Sequence, residues 1–197
     1  QVLTTNGSGT LSWAHDGVIN FTSNRNITAP NDTRPVHQLI ASGTESDIDI
    51  ALTPKGKGAL TAQVANNAVS GGNKRGANAI DLQMTRIFSS QVASGDYAII
   101  GGGEYNTASG NHAIVNGGQS NVASNFAATV SGGQNNAASG SAASISGGQN
   151  NIASNTGSVI GGGQNNTASN FTSTVAGGFS NTASGHMSAI GGGQQNT

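Results

Sequence analysis

The hydrophobic and polar positions of residues 92–197 recur every fifteen residues, and the phase never slips. A β-branched aliphatic stands at Ile100, Val115, Val130, Ile145, Ile160, Val175 and Ile190. Two residues before each stands a small one, from Ala98 to Ser188, while the residue between drifts among Ile, Thr, Ser, Val and Ala. Alternation at period two marks a short strand with one face inward. A second short strand is predicted to run from Asn106, Asn121, Asn136, Asn151, Asn166 and Asn181 into the Ala of each following Ala-Ser step. Gly-Gly pairs, from Gly102-Gly103 to Gly192-Gly193, supply one corner of the turn. The other is expected at the residue after each Ser, such as Gly110 or Asn125, because Gly and Asn tolerate a left-handed backbone.

Self-similarity at a fixed short period is the mark of a solenoid. The predicted fold class is all-β: a repetitive parallel β-roll of seven fifteen-residue turns over 92–197, preceded by a short-stranded β-rich region. At about 4.8 Å per rung the roll is roughly 34 Å long. The column of Asn is expected to form a continuous ladder of side-chain amide hydrogen bonds, a device of stacked β structure. A turn buries one Ile or Val and a few Ala methyls against the entropy of ordering fifteen residues. That imbalance predicts association, with three rolls packed round an axis.

Residues 1–68 lie out of phase and read as short β segments at 10–14, 17–22, 47–52 and 58–64, separated by Asn, Gly, Pro and Asp clusters. Residues 69–91 read as a connector: a loop through Gly71, Gly72, Asn73, Lys74, Arg75 and Gly76, then a strand or short helix at 79–84 that caps the open end of the roll.

The pattern Asn-x-Ala-Ser-Gly-x-x-Ala-x-Ile-x-Gly-Gly, as in Asn106 to Gly118 with Val115 in the Ile place, resembles the left-handed β-roll heads of trimeric autotransporter adhesins and similar repeats of viral tail fibres. The resemblance covers about half the chain. The doubled Gly and the fifteen-residue turn depart from the usual adhesin-head repeat. The phrases Leu3 to Trp13 and Asp49 to Leu60 resemble segments of phage and other viral fibre proteins, which tips the expectation from bacterial adhesin toward viral fibre. What these resemblances imply is a homotrimer on the virion surface, acting in host-cell attachment. Its partners would be a host cell-surface glycan or protein and other virion fibre or baseplate proteins. The alternative is a bacterial trimeric adhesin head on the bacterial outer surface, binding host matrix or cells.

Charge narrows the classes further. Only 8% of residues are charged and the net charge is -1, so no basic footprint exists for nucleic acid or an anionic membrane. Beyond Arg86 there is no Lys or Arg, and Asp96 and Glu104 are the acids of the roll. The chain has no Cys and no apolar run long enough to span a bilayer, so neither thiol chemistry nor membrane insertion is expected. Its start at Gln1 and its stop within a repeat suggest a fragment of something longer.

No enzyme is expected. His15, His37, His112 and His186 lack a second His or a carboxylate at metal-ligand spacing. Gly56-Lys57-Gly58 lacks the rest of a phosphate-loop pattern. Calcium-binding β-rolls use a recurrent Asp, whereas this repeat has Asn, so no catalytic residue, metal or cofactor is predicted. Function is left to the outer surface. The columns through Asp96 and Tyr97 vary most between turns, and Tyr97, Tyr105, Phe126, Phe171 and Phe179 are candidates for packing between subunits or for stacking on a sugar. An ice-binding solenoid needs a regular Thr array, and the column through Thr107, Val122, Ala137, Ile152, Thr167 and Thr182 breaks it.

Overall fold

The computed structural model describes Leu52 and residues 54–197 in full, and four N-terminal strands by their backbone alone. Two compact units divide at Thr53 and Pro54. In the first, β1 (Thr4–Thr5), β2 (Leu11–Ser12), β3 (Asn20–Arg25) and β4 (Pro35–Ile40) form an antiparallel sheet in that order. Strands β2 and β3 fall on or beside the segments expected at 10–14 and 17–22, whereas β1 and β4 lie outside every expected segment. The segment expected at 47–52 lies almost wholly outside the described residues.

The second unit is a parallel β-solenoid of about seven regular turns, and no helix occurs among the described residues. Each regular turn carries two two-residue strands, as in Ile99–Ile100 and Thr107–Ala108, in register with their counterparts fifteen residues on. One sheet stacks nine such strands and the other six. Between them a third ladder of single bridges runs through Glu104, Gln119, Gln134, Gln149, Gln164, Phe179 and Gln194. The aliphatic column from Ile100 to Val175 is fully buried, as are the small residues from Ala98 through Ala143 to Ser158 and Ser173 and the Ala column from Ala108 to Ala168. Ile190, on the last turn, is partly buried against this core. The single chain therefore closes its own aliphatic core. The association expected from a thin core is not needed to cover it.

Direction of hydrogen bonding explains the turn. In the strands an N–H donates forward to the next rung, as Ile99 does to Ala113 at 2.9 Å. At two columns it donates backward instead: His112 to Asp96 at 2.8 Å, and Ser120 to Glu104 at 3.0 Å. A residue that reverses its N–H in this way adopts a left-handed backbone, and both columns do so in every regular turn. One comprises Tyr97, His112, Ala127, Ala142, Gly157, Thr172 and Met187, the other Tyr105, Ser120, Asn135, Asn150, Asn165, Ser180 and Gln195.

This corrects the expected corner. Gly95, Gly110, Asn125 and their counterparts are not left-handed. Glycine serves there for space, since a Cβ on Gly110 would lie 2.0 Å from the carbonyl oxygen of Asn125. On the turns with Asn, the side chain closes its own corner: Asn125 Oδ1 accepts the N–H of Phe126 at 2.8 Å. The second Gly of each pair is both left-handed and crowded. A Cβ on Gly118 would meet the oxygen of Gly133 at 2.2 Å.

The Asn column is a ladder, but it joins side chain to backbone rather than amide to amide. Asn121 Oδ1 accepts the backbone N–H of Asn136 at 3.0 Å, while its Nδ2 donates to the oxygens of Gly117 and Gly133 at 3.0 and 2.8 Å. The same three bonds recur from Asn106 to Asn181, all fully buried. Each Asn thus ties the glycine corner of its own rung to the next rung, and leaves few unpaired polar groups in the core.

Of the strand or short helix expected at 79–84, a two-residue strand forms, and the segment expected at 58–64 supplies another. β5 (Leu60–Thr61) and β6 (Ile80–Asp81) extend the nine-stranded sheet in parallel, so two irregular turns precede the regular ones. Here both buried columns change chemistry. Asp81 pairs in register with Ile100 and ends the aliphatic column, bound at 2.7 Å by Arg75 Nε and at 3.2 Å by Arg86 Nη2. Gln83 ends the Asn column: its Oε1 accepts the N–H of Asn106 at 2.9 Å, as the Asn of a preceding rung would. Its Nε2 donates to the oxygens of Gln91 and Asn106.

Candidate functional site

With the core columns committed to packing, the outer columns hold whatever recognition the roll performs. At the left-handed corner Tyr97 stacks on His112 with ring centroids 5.0 Å apart and planes 5° from parallel. Phe126 meets His112 edge-on at 5.5 Å. Three turns further on Phe171 stacks on His186 at 5.1 Å and 18°. These spacings match the rung repeat of about 4.8 Å. The stacked rings therefore lie one above another along the axis and turn their faces to each other.

That geometry changes what the aromatics can do. A sugar stacks on a ring face, and the faces between Tyr97 and His112 and between Phe171 and His186 are occupied. Phe126, 56% exposed and set at 70° to His112, is the ring that breaks the stack. Ala142 and Gly157 leave the corner bare between the two clusters. The structure thus joins Tyr97 to Phe126 through His112 and keeps Phe171 apart from both. His112 and His186, which lack metal-ligand spacing, are not among the surface candidates that the sequence offers. Their signal was the column: each follows an aromatic of the same column by fifteen residues.

Phe179 and Tyr105 belong to the opposite corner. There Gln134 Nε2 donates to Gln119 Oε1 at 2.6 Å, and Gln149 and Gln164 continue the chain at 3.2 Å each. Gln119 donates in turn to Glu104, so the row of amides starts from a carboxylate. This surface row is the true amide ladder of the molecule, and Phe179, 40% exposed, interrupts it.

A third feature was also missed. Ser94, Ser109, Ser124, Ser139, Ser154, Ser169 and Ser184 form one unbroken column on the outside of the six-stranded sheet, beside Thr107, Thr167 and Thr182. Their hydroxyls make no hydrogen bond to any described residue, so neither core nor corner requires them. Among the described residues no three His, Asp or Glu side chains gather as a metal site.

The fold and these surfaces define a β-solenoid repeat protein. No protein-family model matches the chain, and no curated protein or solved structure proved similar to it.

Proposed function

We propose that the chain is a segment of a homotrimeric surface fibre on a virion, a rod that spaces or presents a receptor-binding surface during host-cell attachment. The carrying observation is the contrast within each turn. Its inward positions hold small, aliphatic or Asn residues over seven rungs, while its outer corner columns through Asp96 and Tyr97 change from rung to rung. A rod of that kind keeps its shape whatever it displays. Its outside is nearly free of charge, which suits an appendage that must not adhere through long-range electrostatics.

Area favours three chains over two. A sheet face about 34 Å long and about 10 Å across offers roughly 340 Å², well under the ~800 Å² per partner of a stable pair. In a trimer each chain uses two faces, roughly 680 Å² in total, twice what a pair would bury. The outward positions Ile99, Ile114 and Val159 on one sheet and Val122, Ala137 and Ile152 on the other supply apolar contact.

Binding of the labelled chain to an array of bacterial and eukaryotic cell-surface glycans tests attachment. Retention on a subset of glycans, lost on heat denaturation, is the expected result. Retention on none would remove glycan recognition from the proposal. The unbroken serine column is the one observation that favours ice binding instead, and thermal hysteresis of the chain in solution would establish that reading in its place.

A further inference from the structure

The second unit carries five cations, Lys55, Lys57, Lys74, Arg75 and Arg86, and three acids, Asp81, Asp96 and Glu104. Lys57, Lys74 and Arg75 line one cavity of about 620 Å³ beside the irregular turns. That volume lies within the roughly 300–1,000 Å³ of small-ligand sites. Asp96 is the acid on its wall, and Asp96 Oδ1 already accepts the N–H of Ala77 at 2.8 Å.

Arg75 is held from behind. Its Nε donates to Asp81 at 2.7 Å and its Nη1 to the oxygen of Asn73 at 3.0 Å, while Asp81 also serves Arg86. One buried carboxylate therefore faces two buried guanidinium groups, and the cluster behind the wall keeps a positive charge. Arg75 Nη2 is buried with no partner. Lys57 and Lys74 add two exposed ammonium groups that form no ion pair among the described residues. The regular turns contain no Lys or Arg, so the positive potential of this unit is concentrated around the irregular turns, where this cavity lies. Val64, Ala59 and Ala77 give the same cavity an apolar wall.

We infer that this cavity binds an acidic sugar, with its carboxylate on Lys57 and Lys74 and its ring against the apolar wall. The negative charge of the ligand follows from the cavity alone. The choice of a sugar rests on the attachment reading above.

Calorimetric titration of the full chain with N-acetylneuraminic acid and glucuronic acid, with glucose as the neutral control and inorganic phosphate as the small anion, tests it. At least one acidic sugar is expected to bind ten times more tightly than glucose or phosphate. The pair Lys57→Gln and Lys74→Gln, both at exposed positions, should weaken that binding at least tenfold with an unchanged circular dichroism spectrum and melting temperature. Lys55→Gln, outside the cavity, should leave it intact. Equal affinity for acid and glucose, or binding that survives the double substitution, would overturn the inference. Phosphate binding as tight as either sugar would overturn its sugar part. Glycan-array retention limited to neutral glycans contradicts the cavity and spares attachment. Titration by an acidic sugar with no array retention spares the cavity and removes glycan recognition from the attachment reading.

Discussion

The regular turns and the two irregular turns before them solve one packing problem with different chemistry. Along the regular turns the core is an aliphatic column beside an Asn column, each rung templating the next. At the irregular turns the same two columns end in Asp81 and Gln83: Asp81 takes its partners Arg75 and Arg86 from loops, whereas Gln83 still serves Asn106 on the neighbouring rung. A repeating rung offers its neighbour one unsatisfied face, so a solenoid requires an end that is unlike its middle. Gln83 ends one column by imitation, placing an amide oxygen where a preceding Asn would have placed one. Asp81 ends the other by substitution, with a buried ion cluster in place of an aliphatic contact.

Breaking the middle should cost most. Ile145→Asp places an unpaired carboxylate in a column with no exposure, a change worth more than about 4 kcal/mol. Loss of the β circular dichroism signal or insolubility is expected, and a folded variant would show that the inward face is misassigned. Asp81→Asn breaks the end instead. It leaves two buried guanidinium groups facing a neutral amide and should cost about 3–5 kcal/mol. Hydrogen exchange should then quicken first around Ile80 and Ile99, with the turns beyond Asn151 protected as before.

Asn136→Ala sharpens the comparison from within the middle. It removes the two donations to Gly132 and Gly148 and strands the N–H of Asn151, for a loss of roughly 2–3 kcal/mol. A melting temperature lower by about 4–12 °C would fit. Phe126→Ser should matter least to folding. It removes one edge contact with His112 and should cost under about 1 kcal/mol. A larger loss would mean that the corner aromatics are part of the roll's stability rather than its display.

How much of this was legible in the sequence follows from the same contrast. Period, strand positions and inward columns were readable because seven copies average away local noise. The aliphatic, small-residue and Asn columns each hold one class of residue, Ala giving way only to Ser. The left-handed corner was hidden because Tyr97, His112, Ala127, Ala142, Thr172 and Met187 share no preference for that backbone. The demand arises from the reversed N–H, which is a property of stacking and not of any residue. Glycine at Gly110 misled for the complementary reason: it answers crowding from the next rung, which composition cannot distinguish from conformational need. The cap had no repeat to average over, and nothing in the order of Arg75, Asp81, Gln83 and Arg86 announces that they meet. The outer surfaces were legible as variable columns. The stacking of Tyr97 on His112 was not, because neither residue is unusual alone.

The fibre proposal stands or falls on association. One chain already covers its aliphatic core, so a partner must be recruited by the outward faces alone. Light scattering coupled to size exclusion measures this most directly on the chain as it is. The account predicts a mass of about 58 kDa, three chains of 19.4 kDa each, unchanged on dilution to the micromolar range. A stable species at 19.4 kDa would contradict the trimeric fibre and leave a solenoid that works alone.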